Sequence, residues 1–181
     1  MVAPTNAEGL IMKYITLILS MLVLVPLAAA ALIIVETPEK CSQCGMDRTV
    51  FAHSRMLISY TDGTGAGICS LYCAITEMRR DKKKLVSSLM VADYSTHKLI
   101  DSETAHWVVG GSQNGVMTSE AKWAFAGREE AQRFVKEHGG MIRTFDQALD
   151  TASTEVIAQA DEALAVEREL QQELRTWETN R

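Results

Sequence analysis

All four cysteines of this chain lie in one short window, and their spacing restricts how that part of the sequence can fold. Cys41 and Cys44 form a CxxC pair, and Cys69 and Cys73 form a CxxxC pair further along. A CxxC turn directs both sulfurs to one centre, and cysteines four residues apart share one face of a helix. The spacing therefore predicts a metal site of four sulfurs that joins a turn to the first turn of a helix.

Other uses of these cysteines stay open. The pairs could form two disulfides, hold a structural zinc ion, bind a metal that is handed on, or carry out thiol redox chemistry. Met46, two residues after Cys44, favours the third use because thioether and thiolate ligands select Cu(I). Met56 and Met117 are further candidates, whereas the four histidines are interpreted as structural or exposed, although His53 lies near the cysteines.

An uncharged apolar segment, residues 14–35, precedes the cysteines. As a helix it is long enough to span a bilayer of about 30 Å. It predicts a transmembrane anchor or a signal peptide cleaved near Ala30, with Lys13 as its basic flank. Residues 1–13 are interpreted as a leader, with the true start at Met1 or Met12, and residues 36–40 as a linker. Either interpretation exports the remainder, and the anchor would bind it to the inner membrane, facing the periplasm or extracytoplasmic side.

Charge and motifs narrow the possible functions. The net charge of −5 and the pI near 5.4 predict no nucleic-acid partner. The sequence contains no Ser/His/Asp grouping, no phosphate-binding loop and no convincing pair of carboxylates. We therefore expect no enzyme activity.

The part after the linker has an α+β pattern in two consecutive units. The first unit contains the CxxC turn, a hairpin around Asp62 and Gly63, and a helix capped by Ser70 that ends near Arg80. Its inward face is expected to carry Leu71, Ala74, Ile75 and Met78. The second unit has expected strands at residues 90–93, 106–109 and 122–126, a helix over 128–138 that Gly139 ends, and a final strand and turn in 141–150.

The last part of the chain has a different composition. From Thr151 to Glu178 it lacks glycine and proline and is rich in Ala, Glu, Gln and Leu, which predicts a helix. Apolar residues recur at near-heptad spacing, but Glu167 interrupts them, so a long coiled coil is not expected. This amphipathic helix, residues 151–181, is expected to pack on its own domain or on a partner.

Several stretches together resemble the NosL family, the copper chaperones and accessory proteins of nitrous oxide reductase. They are CSQCGM, the DG hairpin, DSETAHWVVGG and MTSEAKWAFAGREEAQRFVKEHGGMIRTFDQAL. The resemblance covers about residues 40–150, so that residues 41–150 are expected to form a NosL-like metal-binding domain. It implies two ββα-like units related to treble clefs, and an exported protein that binds Cu(I).

Site residues follow from the resemblance only where the motifs match. Cys44 and Met46 match the family's CGM, Cys41 is the other half of the CxxC pair, and Met117 matches a methionine ahead of the aromatic strand. Two features depart from the family pattern. No lipidation cysteine is present, and the second cysteine pair is not a feature of every member.

The leading hypothesis is a membrane-anchored Cu(I)-binding accessory protein. Copper would go to a metalloenzyme or its maturation machinery, and the resemblance implies nitrous oxide reductase. A second hypothesis is a membrane-tethered interaction module with a structural zinc treble-clef site, and a third is a periplasmic thiol–disulfide protein. The oligomeric state is not predicted. The expected metal ligands are Cys41, Cys44, Met46, Cys69, Cys73 and Met117.

Overall fold

The structure is a computed structural model, and it describes residues 36–181. The predicted leader and apolar segment therefore lie outside the described residues. Within residues 36–181, none of the helices combines the length and hydropathy that a membrane crossing requires. The elements in chain order are β1 (Met56–Tyr60), β2 (Gly65–Ile68), α1 (Leu71–Arg80), β3 (Val86–Ala92), β4 (Leu99–Asp101), β5 (His106–Val109), β6 (Lys122–Phe125), α2 (Arg128–His138), β7 (Met141–Arg143) and α3 (Phe145–Thr179).

The predicted hairpin and the helix after it are confirmed. β1 and β2 pair antiparallel, and the turn between them contains Gly63 at a φ of 82°, a value that glycine adopts without a steric penalty. Ser70 caps α1 by accepting a hydrogen bond from the backbone N–H of Cys73. Leu71, Ala74 and Ile75 are buried, as the helical spacing predicts.

The strands form two antiparallel sheets, of order β2-β1-β3-β4 and β6-β5-β7. With three helices, the described residues are of the mixed α+β class, as predicted. The boundary between the predicted units was wrong, because β3 and β4 complete the sheet of the first unit. β3 also begins at Val86 rather than near Met90, and β4 was not predicted. The exposed serines at the start of β3 do not show the alternation of apolar residues that predicts a strand. The strand forms there because it pairs with β1.

The last helix begins earlier than expected, at Phe145 rather than Thr151. Thr144 and Gln147 form a capping box there, which begins a helix where a turn was predicted. Ala148, Ala152 and Val156 of α3 are buried in the core and α3 packs against α1. Beyond Val156 the helix leaves the domain, and every residue from 157 to 181 is exposed.

Two buried polar groups connect the elements. Asp93 follows β3 and accepts hydrogen bonds from the backbone of Ala126, 2.9 Å away, and from Thr96. The Lys122 ammonium of β6 contacts the Glu155 carboxylate of α3 at 2.5 Å. These contacts hold the second sheet to the first and to α3, because buried polar groups must find partners to offset their loss of hydration.

Candidate metal centre

The four cysteines converge at the end of the first sheet. Cys41 and Cys44 lie on the turn after the linker, Cys69 directly follows β2, and Cys73 lies in the first turn of α1. Their sulfurs all lie within 4.8 Å of one another. Four sulfurs held tetrahedrally at 2.3 Å from one ion are about 3.8 Å apart. The Sγ–Sγ separations of 3.5 Å between Cys44 and Cys69, and 3.7 Å between Cys69 and Cys73, fit that arrangement.

The cluster is open on one side only. Cys41, Cys69 and Cys73 are buried, whereas Cys44 is exposed, and all four are free thiols. An incoming thiolate or other soft ligand can therefore approach the cluster from the side of Cys44. A fully buried set of four sulfurs would not offer such access.

Local backbone contacts explain the position of the CxxC turn. The Cys41 N–H donates to the Met46 carbonyl at 2.8 Å, and the Gly45 N–H donates to the Cys41 carbonyl at 2.9 Å. Gly45 has a φ of 76°, so the residue directly after Cys44 needs the conformational freedom of glycine. The Ser42 N–H donates to the Gly67 carbonyl at 2.9 Å, which fixes the turn to β2 beside Cys69.

Arg48 supports this turn from inside the domain, although no motif in the sequence points to it. Its side chain is completely buried. The guanidinium donates to the carbonyls of Ile68, Met56 and Pro38 at 3.2, 3.0 and 2.6 Å, and it pairs with the Glu36 carboxylate. It therefore joins the linker to the ends of β1 and β2. A Cβ on Gly67 would lie 2.5 Å from an Arg48 nitrogen, so only glycine leaves room for the guanidinium.

Hydrogen bonds among the thiols make their acidities unequal. The Cys41 sulfur accepts hydrogen bonds from Cys69 and Cys73, which hold the pKa of Cys41 far below its ordinary value. The same contact with Cys41, together with burial, raises the pKa of Cys69 to about 12. Contacts with Cys41 and Cys69, and burial, likewise raise the pKa of Cys73. One thiolate is thus stabilised by its protonated neighbours, and a bound metal would displace the remaining protons.

Met46 packs beside the cluster, and Met117 lies on a loop that approaches the start of α1. Met46 is half-buried on the CxxC turn and packs against the core that includes Cys41, Cys69 and Cys73. Met117 is exposed on the loop between β5 and β6, where its φ of 65° is uncommon for a residue other than glycine. That loop lies beside the start of α1, because its residues line a small cavity together with residues of α1. The lining residues are Ser54, Ser70, Leu71, Tyr72, Val116, Thr118 and Lys122.

No histidine is part of the four-thiol group, and Met56 lies in the same apolar core as the buried cysteines. Met56 is fully buried in β1 within the core. The ring of His53 lies 5.2 Å from that of Trp123 and 6.5 Å from that of His97, centroid to centroid. Burial, and to a smaller extent the charge of His97, lowers the pKa of His53. His138 forms a hydrogen bond with Gln113, at 3.1 Å.

The fold and the cluster define an α+β domain with a four-thiol candidate metal centre. The family model described as NosL matches residues 33–152, more than half of the chain, and the chain belongs to the NosL family. The matched residues contain all four cysteines, Met46 and Met117. Most of α3 lies beyond the match.

Two known proteins illustrate the similarity. The HTH-type transcriptional repressor CutR of Bacillus subtilis (strain 168) is 31% identical over 115 residues, which are 64% of this chain and 59% of that protein. The chain thus spans well under two thirds of that relative's length. The crystal structure of the copper chaperone NosL from Shewanella denitrificans matches with a TM-score of 0.50 and 22% identity, over 62% of this chain and 91% of that one. At that identity the match shows a shared fold.

The buried guanidinium generates a prediction about stability. Replacing Arg48 by Met removes one of the two cations beside the Glu36 carboxylate and the donor to four carbonyls, those of Glu36, Pro38, Met56 and Ile68. We therefore expect a loss of about 3 kcal/mol in the free energy of unfolding. Urea denaturation of the reduced, metal-free protein measures this loss. Arg133→Met is the control, because Arg133 is exposed on α2 and contacts neither the CxxC turn nor the linker. Equal unfolding midpoints for the two variants would contradict the supporting role of Arg48.

The lowered pKa of His53 generates a prediction about pH. Protonation favours the unfolded chain, because the folded state binds this proton less readily. The contribution of neutral His53 to stability is therefore present above its ordinary pKa of about 6.5, and it is lost as the pH falls through the lowered folded value. We expect the free energy of unfolding to fall between about pH 7 and pH 5, and His53→Gln to remove part of that dependence. His106→Gln is the control, and an unchanged pH dependence in His53→Gln would refute the prediction.

Proposed function

We propose that this protein binds Cu(I) at the four-cysteine cluster and transfers it to a copper-receiving partner. The observation that carries the proposal is the unequal burial of one sulfur cluster. Three buried thiols can hold the ion, and the exposed Cys44 provides a place where a ligand of the partner can enter. Cu(I) is a cargo in this proposal, and no catalytic step on the protein is proposed.

The chemistry of the donors supports copper. Thiolate is a soft ligand that favours Cu(I), and Cu(I) accepts fewer ligands than the tetrahedral four of a structural zinc site. A partner's sulfur or nitrogen would therefore replace the exposed Cys44 first, while the three buried thiols still hold the ion. Met46 on the same turn and Met117 on the neighbouring loop are proposed as thioether ligands along that exchange.

Membership of the NosL family supports the same function. The structurally similar protein of Shewanella denitrificans is described as a copper chaperone. We propose that the acceptor here is a copper enzyme or the machinery that matures it, and that the enzyme is nitrous oxide reductase. We also propose that residues 14–35 anchor the chain in the inner membrane, with the domain facing the periplasm.

Copper binding is tested on the full chain, purified in detergent without oxygen. We expect about one equivalent of Cu(I) per chain, measured by competition with a colorimetric Cu(I) chelator. Cys44→Ser should weaken binding at least tenfold, about 1.4 kcal/mol. Met117→Ala should weaken binding too and slow transfer to the chelator. Met141→Ala is the matched control, because this exposed methionine lies on β7 of the second sheet.

A structural zinc site of the treble-clef kind is the second candidate, because the sulfur separations also suit tetrahedral zinc. The same preparation distinguishes the two. Zinc that resists exchange with Cu(I), together with unfolding when a chelator removes it, would replace the copper proposal by the structural one. Thiol–disulfide activity that persists without metal would instead support a redox function.

Export is tested separately. A fusion of alkaline phosphatase to the C-terminus is active only when it is translocated across the membrane. We expect activity from the fusion to the full chain and none after removal of residues 14–35. An inactive fusion to the full chain, produced in normal amounts, would refute the proposed location.

A further inference from the structure

The end of α3 is an exposed helix that the copper proposal does not use. We call residues 157–181 the tail. Its helical part, residues 157–179, is about 35 Å long at 1.5 Å per residue, and every residue of the tail is exposed. The tail also lies beyond residue 152, where the match to the family ends.

Large apolar side chains follow one side of the tail. Six of them are between 46% and 60% exposed: Ile157, Leu164, Val166, Leu170, Leu174 and Trp177. Successive residues of a helix are rotated by about 100° about its axis. On this measure Leu170, Leu174 and Trp177 project within about 60° of the direction of Val156. Val156 is buried against the domain, so the tail extends the same apolar side into solvent. Contiguous exposed apolar surface of this kind marks an interaction site.

The charges of the tail restrict what can cover that side. Glu167 lies about 20° from the Val156 direction, and hence within the apolar stripe. The tail contains six carboxylates (Asp161, Glu162, Glu167, Glu169, Glu173 and Glu178) and three guanidiniums (Arg168, Arg175 and Arg181), so 3 − 6 gives a net charge of −3. Pairing two tails side by side would bring together two acidic helices and bury Glu167 without a cation. The covering surface should be both apolar and basic.

The domain itself has a surface of that composition. We call residues 79–86 the basic corner. It follows the C-terminal end of α1, and every residue in it is exposed. Its net charge is 5 − 1 = +4, from one acid, Asp81, and five cations: Arg79, Arg80, Lys82, Lys83 and Lys84. Leu85 and Val86 are 67% and 40% exposed directly beside these cations.

We infer that the tail of one chain lies on the basic corner of a second chain, and that the tail of the second chain lies on the basic corner of the first. Leu170 and Leu174 would cover Leu85 and Val86, and Glu167 and Glu173 would meet Lys82 and Lys83. The reciprocal contact gives a closed two-fold dimer that leaves neither surface free. The tail does not cover its own basic corner, because both surfaces are exposed within one chain.

Charge reversal tests the dimer in the full chain. The tail variant is Glu167→Lys with Glu173→Lys, and the corner variant is Lys82→Glu with Lys83→Glu. Each alone places like charges in both contacts, so we expect the dissociation constant of the dimer to rise at least tenfold. In a mixture of the two variants, both contacts of a mixed dimer join opposite charges, so dimers should form again. Mass photometry in detergent measures the dimer fraction, with differently tagged chains for the mixture.

Two further measurements keep the test specific. Glu129→Lys reverses an exposed charge on α2 and should leave the dimer unchanged. A photo-crosslinking amino acid at position 174 should join the tail to residues 79–86 of a second copy, identified by mass spectrometry of the linked peptides. A monomeric wild type, a dimer that neither charge variant weakens, or crosslinks only to another tail or another protein would overturn the inference.

Discussion

The buried guanidinium of Arg48 is the interaction on which the geometry of the sulfur cluster depends. The CxxC turn lies before the first strand, and Cys69 follows the second, so the two thiol pairs approach only if the linker folds back on the hairpin. Arg48 donates to carbonyls at the ends of both strands and in the linker, and its charge is balanced by Glu36. Arg55 also contacts Glu36, at 3.1 Å, so one carboxylate serves two buried cations. The domain can therefore bring the thiols together through its own contacts, and a metal need not assemble the site.

The cluster was predictable from the sequence because each half of it is local. Within the CxxC turn, and within the CxxxC pair on the helix, the two sulfurs converge by local backbone geometry. Ser70 caps the helix on which Cys73 lies. Arg48 was not predictable, because its sequence surroundings resemble those of an exposed arginine. Its burial follows from carbonyls of distant strands and from the absence of a side chain at Gly67. Similarly, β3 and β4 depend on pairing with residues far away in the chain, which no local pattern reports.

The unequal burial of the thiols has a consequence for the rates of binding and release. In the proposed function, a metal held by the buried Cys41, Cys69 and Cys73 would be shielded from solvent on their side of the cluster. In the proposed function, exchange would begin at the exposed Cys44, directly before Gly45, because a ligand can approach the cluster there. The backbone of Gly45 is fixed to Cys41 by a hydrogen bond, so the sulfur of Cys44 is presented from a defined turn. Cys44 would thus be both a ligand and the point where exchange begins, while the three buried thiols would hold the ion.

The same helix connects the cluster to the tail. α1 carries Cys73 in its first turn and leads into the basic corner at its other end, and α3 packs along α1 before it continues as the tail. Ala148 and Ala152 are fully buried there, and their small side chains let the two helices approach closely. A tail that binds a second copy's basic corner would thus act at the end of α1 opposite the thiols. Because the exposed Cys44 lies at the other end, the proposed dimer leaves the entrance to the cluster open for a partner that receives the metal.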